Sequence, residues 1–143
     1  MPSSAPAPAA AELAQALGHA FADAVSVDAR GALVVRPDRF LAVARACRDD
    51  HGLDYLANVT AVDWPDRLEA VYHVCRSTGG SPVTIKVPVD RADPDVPSLT
   101  GLYPGADFQE REAYDLLGVR FVGHVNLRRV LTWGGVAGHA LRM

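Results

Sequence analysis

The chain has 143 residues, 49% of them hydrophobic and 22% charged, and a formal net charge of −3. That length suits one domain with its own core, and the balance excludes a chain disordered throughout. Charges of both signs are mixed along it with no basic surplus, which argues against a nucleic-acid binder and against electrostatic capture by an anionic membrane.

Residues 1–10 read as a flexible Pro/Ala-rich tail with nothing to bury, and residues 11–143 as a single domain. No basic start and no Leu/Val-rich stretch marks the N-terminus as a secretory signal. No apolar run approaches the roughly 18 residues of a spanning helix, so contact with a membrane is expected only through a partner. From Ala11 to Phe21 the positions Leu13, Ala16, Leu17 and Ala20 recur at helical spacing. Two short strands follow, Val25–Val27 and Leu33–Val35, joined by an Asp28-Ala29-Arg30-Gly31 turn.

Pro37 suits the first position of the next helix, whose apolar face is Phe40, Val43, Ala44 and Cys47 and whose stop is Gly52. Three strands then form a meander: Tyr55 to Val62, Leu68 to Cys75 after a Trp64-Pro65-Asp66 turn, and Val83 to Val89 after Thr78-Gly79-Gly80-Ser81. The last of these alternates most cleanly, with Thr84 and Lys86 on its wetter side, and suits a sheet covered by helices on one face. The prolines Pro88, Pro94, Pro97 and Pro104 predict an irregular surface connector from Asp90 to Pro104. Asp107 with Glu110 has the form of a capping box opening a helix that Gly118 closes. Residues 119–143 offer one short strand-like run, Val119–Val122, and otherwise irregular sequence. The fold class expected is α+β in two layers, a mixed β-sheet with helices packed on one face and an irregular C-terminal segment.

Candidates for chemistry are sparse. Cys47 and Cys75 stand apart in apolar contexts and are expected as reduced, partly buried small hydrophobes. Five scattered histidines, His124 and His139 among them, give no metal-ligand spacing. No serine sits in a G-x-S-x-G elbow, and Gly79-Gly80 and Gly134-Gly135 match no phosphate-cradling loop. What stands out is Glu110-Arg111-Glu112-Ala113-Tyr114-Asp115-Leu116-Leu117-Gly118, then His124, then Leu127-Arg128-Arg129-Val130-Leu131. On a helix Arg111 and Asp115 are four apart and able to pair. A capped helix with a solvated charged face and an interface helix with fixed Arg–carboxylate contacts both fit this pattern.

At these residues the chain resembles the 30 kDa subunit family of bacterial NADH–quinone oxidoreductase, complex I. That family's signature runs E-R-E-x-x-[DE], two apolar residues, a six-residue gap, His or Lys, three residues, then R-x and two aliphatics. Glu110 to Leu117, Gly118 to Gly123, His124, Arg128, Arg129 and Val130-Leu131 follow it in register. Upstream, Val62-Asp63-Trp64-Pro65-Asp66-Arg67-Leu68-Glu69-Ala70-Val71-Tyr72-His73 resembles the family's hairpin. Lys86-Val87-Pro88-Val89 and Pro97-Ser98-Leu99 resemble its following strand and connector, and Tyr103 to Phe108 its approach to the helix. Phe108 stands where the family usually has Trp, and Val125 where it usually has Pro.

The resemblance implies a non-catalytic scaffold subunit of the peripheral arm, on the cytoplasmic side of the cell membrane. It implies no cofactor in this chain, with FMN, Fe–S clusters and quinone held by partner subunits. The implied partners are the quinone-site and cluster-bearing subunits, with no nucleic acid and with the membrane reached only through the complex. Glu110, Arg111, Glu112, Asp115, Gly118, His124, Arg128 and Arg129 are the expected signature and interface residues. The alternative is the equivalent subunit of a membrane-bound hydrogenase or of a ferredoxin- or F420-dependent dehydrogenase.

Overall fold

Side chains alternate across a strand, and from Val83 to Val89 the odd-numbered residues are buried while Thr84, Lys86 and Pro88 are half-buried. This strand, β5 (Val83–Val89), lies at the centre of a five-stranded sheet in a computed structural model that describes residues 10–21, 23–79 and 82–123. With β1 (Val25–Val27), β2 (Leu33–Val35), β3 (Tyr55–Asp63) and β4 (Leu68–Cys75), the order is β1-β2-β5-β4-β3. β2 and β5 run parallel and the other neighbours antiparallel, so the sheet is mixed. The register sets Tyr72 beside Ile85 and Ala70 beside Val87 on one face, and Val71 beside Lys86 and His73 beside Thr84 on the other.

The first face carries the core. Leu13 and Leu17 of α1 (Ala10–Phe21) are buried there, spaced one helical turn apart; Ala16, also expected on that stripe, is exposed. Phe40, Val43, Ala44 and Cys47 of α2 (Phe40–His51) form the expected stripe, and the Phe40 ring centroid lies 4.7 Å from that of Tyr72. Ala106 and Ala113 of α3 (Ala106–Leu117) join the same cluster. The three helices therefore cover one face of the sheet, as the alternation in β5 predicts. Pro37 does not open α2 directly: a 3₁₀ turn, Pro37–Arg39, precedes it, and α2 starts at Phe40.

The connector differs from expectation. Part of it is a strand, β6 (Asp95–Pro97), which pairs in parallel with β7 (Arg120–Val122). The bonds are Arg120 N–H to the Pro94 carbonyl and Ser98 N–H to the Val122 carbonyl, both 2.8 Å. Two strands leave one side of β6 unpaired, so the missing N–H of Pro97 need not interrupt the ladder. Nor does the segment run over the surface, because Val96, Leu99, Leu102 and Tyr103 are all buried.

Candidate functional site

α3 carries the first half of the signature, and its polar residues turn mostly inward. Glu110 is completely buried. Its Oε1 accepts from the Ser98 hydroxyl and its Oε2 from the Leu99 backbone N–H, each at 2.7 Å. Ser98 Oγ in turn lies 2.9 Å from Thr100 Oγ1 and accepts from the Thr100 N–H at 3.2 Å. A carboxylate on α3 thus fixes the bend that follows β6. The capping-box expectation is overturned here: Gly105 occupies the N-cap with no side-chain bond, and Asp107 falls inside the first turn. Its charge there still favours the helix N-terminus.

Arg111 also departs from the expected pairing with Asp115. Its Nε lies 3.3 Å from Asp107 Oδ1, one turn earlier, as an ion pair without hydrogen-bond alignment. Its guanidinium sits 5.8 Å above the Phe108 ring, and that ring is half exposed. Asp115 is completely buried, Glu112 is half-buried, and Gly118 ends the helix at φ 83°, a left-handed conformation that favours glycine. His124, Arg128 and Arg129 lie outside the described residues.

A fully apolar surround would make a buried carboxylate costly, so what lies near Glu110 matters. The Tyr72 hydroxyl is completely buried, with no hydrogen-bond partner among the described residues. Burial, and secondarily the Glu110 charge, push its pKa well above the ordinary phenol value, so Tyr72 stays neutral. Burial likewise raises the Cys47 thiol to about 11, which removes it as a thiolate nucleophile at neutral pH.

Three further contacts hold α3 and its approach, and periodicity gives no sign of them. Gln109 Oε1 accepts the backbone N–H of Val59 at 2.6 Å, closing one group on β3, the edge strand. The Tyr103 hydroxyl donates to the Leu53 carbonyl at 2.6 Å, and Arg48 Nη1 to the Leu102 carbonyl at 3.0 Å. Their partners lie about fifty residues away in sequence. Among the described residues no group of three His, Cys, Asp or Glu side chains is arranged to hold a metal ion, and no helix is long and apolar enough to cross a membrane.

The pattern of the family described as respiratory-chain NADH dehydrogenase, 30 kDa subunit, matches residues 33–143. The chain is 47% identical to the C-subunit of NADH-quinone oxidoreductase from Moorella thermoacetica, over 78% of this chain and 76% of the relative. It is 43% identical to the protein of the same name from Roseiflexus sp., over 92% of this chain and 81% of the relative. Among solved structures it is similar to a trypsin-resistant fragment of Nqo5, with a TM-score of 0.66 and 30% identity over 82% of this chain and 99% of the fragment. It is also similar to a chain of an archaeal membrane-bound sulfane sulfur reductase, with a TM-score of 0.67 and 26% identity over 86% of this chain and 74% of that one. On the family match and these identities, the chain belongs to the family of the 30 kDa subunit of respiratory-chain NADH dehydrogenase, the C-subunit of NADH-quinone oxidoreductases.

Proposed function

We propose that this chain is a scaffold subunit with no active site or cofactor of its own, on the cytoplasmic side of a proton-translocating NADH–quinone oxidoreductase. FMN, the Fe–S clusters and quinone then belong to partner subunits, and this chain packs against those that hold the clusters and the quinone site. The observation that carries this reading is the use made of the signature. Glu110 is committed to Ser98 and Leu99, and Arg111 to Asp107 and Phe108. Glu110, a group that an enzyme would aim at a substrate, here holds α3 against its own domain, and Arg111 is engaged within the helix itself. A pre-ordered surface reduces the entropy lost when subunits dock, and a rigid neighbour keeps redox centres at fixed separations.

On this reading the second half of the signature makes the outward contacts, with Arg128 and Arg129 available for bidentate contacts to partner carboxylates. Arg128→Ala, expressed in place of the native chain, is expected to lower the amount of assembled complex and the NADH–quinone activity of membranes. The purified domain should keep its circular dichroism and melting temperature. Normal complex levels and normal activity in that variant would overturn the interface role.

A second reading draws support from the sulfane sulfur reductase likeness: the equivalent subunit of a related membrane-bound hydrogenase or a ferredoxin- or F420-dependent dehydrogenase. Deleting the gene separates the two. Loss of NADH-driven quinone reduction supports the first, and loss of hydrogen-, ferredoxin- or F420-linked activity with NADH oxidation intact supports the second.

A further inference from the structure

The helices cover one face of the sheet; on the other, among the described residues, lies a groove of 360 Å³. Its apolar surface comes from Val62 of β3, Val71 of β4 and the ring of Trp64, which is 40% exposed. Arg30 of the β1–β2 turn, Lys86 of β5 and His73 of β4 stand along it. The polar groups are unequally engaged. Asp28 beside the groove accepts from the Arg30 and Ala32 backbone N–H groups through Oδ1 and from Lys86 Nζ through Oδ2, at 2.8 to 3.0 Å. Glu69 is buried and accepts from Trp64 Nε1 at 3.2 Å. Both carboxylates in reach accept bonds from within the chain, Asp28 through both oxygens and Glu69, which also lines the groove, through Oε1. Arg30 is exposed and makes no ion pair among the described residues, and an ammonium has three donors, of which Asp28 takes one on Lys86. What the groove offers a visitor is an apolar floor with spare cationic donors.

We propose that this groove docks an acidic, apolar segment of another subunit. An aliphatic or aromatic side chain of that segment rests on Val62, Val71 and Trp64, and an adjacent carboxylate is held by Arg30 and Lys86. The inference rests on the reading of this chain as one subunit of a larger complex. Complementarity selects the occupant. Residues 124–143 of this chain contain Arg128, Arg129 and Arg142 and no Asp or Glu, and residues 1–9 contain no acidic side chain, so no side chain of either stretch matches the cationic donors. The Trp64 ring, with the Arg67 guanidinium 5.1 Å from its centroid, has the composition of a binding hot spot.

The test places the photo-reactive amino acid p-benzoylphenylalanine at Thr84, a half-buried residue of the groove wall, in the tagged full-length chain expressed in its source organism. Co-migration of the tagged chain with a respiratory complex on native gels is scored first. Illumination is then expected to yield a cross-link to a peptide of another subunit that contains Asp or Glu next to an apolar residue. Arg30→Glu should cut the yield of that cross-link about fivefold, and Arg30→Lys should preserve it. Failure to co-migrate would overturn the subunit reading and the docking proposal together. Co-migration with no cross-link, or with one to this chain's own termini, to a second copy or to a peptide without acid, would overturn the docking proposal alone. A yield unchanged by Arg30→Glu would overturn the assigned carboxylate contact.

Discussion

Helices α2 and α3 are each twelve residues long, and each ends at a left-handed glycine, Gly52 at φ 71° and Gly118 at φ 83°. They are held to the sheet in different ways. α2 buries only Phe40, Val43, Ala44 and Cys47, so its attachment is mainly apolar area, which tolerates small shifts in position, with one directed bond from the half-buried Arg48 to the Leu102 carbonyl. α3 buries Glu110 and Asp115 beside Ala106, Ala113 and Leu117, and Glu110 makes two short, directed bonds to the chain eleven and twelve residues before it. Directed bonds lose their value when geometry slips, so α3 and the 98–103 bend form the more sharply placed part of the molecule. The first half of the signature, Glu110 to Gly118, falls on this part, and under the proposed scaffold role that is where a sharply placed surface is needed.

The comparison breaks most visibly at Phe40. Phe40→Ala removes a fully buried ring in contact with Tyr72 and should cost about 4 kcal/mol, read as a lower denaturant midpoint. A cost below about 1 kcal/mol would mean that α2 is not packed on the core. Glu110→Ala leaves the Ser98 hydroxyl and the Leu99 N–H without their acceptor and should cost about 3 kcal/mol, with the loss of amide-exchange protection concentrated at residues 98–103. Loss spread evenly over the sheet would show that the carboxylate supports the whole core and not the bend. Glu110→Gln keeps one acceptor oxygen and should fall between Glu110→Ala and the native protein.

The smallest effect lies at the β1–β2 turn. The Lys86 ammonium, and secondarily the Ala32 N–H, hold the Asp28 carboxyl at about 2, below the usual value near 4. A depressed folded-state pKa contributes stability that is present above the unfolded value and disappears as pH falls from about 4 towards about 2. Asp28→Asn should flatten the stability profile in that window and leave its shape unchanged near neutrality. An unchanged acid limb would show that the Asp28–Lys86 pair does not contribute.

Where the fold follows from local repetition, it is legible in the sequence. The period of two in β5, the stripe in α2 and the stops at Gly52 and Gly118 are each set by neighbouring residues. Residues 95–103 mislead because the prolines Pro94, Pro97 and Pro104 point to an irregular surface connector, while the burial of Val96, Leu99, Leu102 and Tyr103 depends on β7 and α3 arriving from later in the chain. Glu110 misleads for a related reason. Asp-x-x-Glu is a local capping pattern, while the donors that claim Glu110 lie on the bend before Gly101 and become neighbours only after folding. The signature therefore points to the right helix without saying which side chains face inward.

The central claim is that this chain acts as one subunit of a respiratory oxidoreductase, and affinity purification of the tagged chain from membranes of its source organism tests it most directly. Mass spectrometry of the eluate is expected to find flavin-, cluster- and quinone-site subunits together with NADH–quinone activity. Recovery of the chain alone and soluble would contradict the claim.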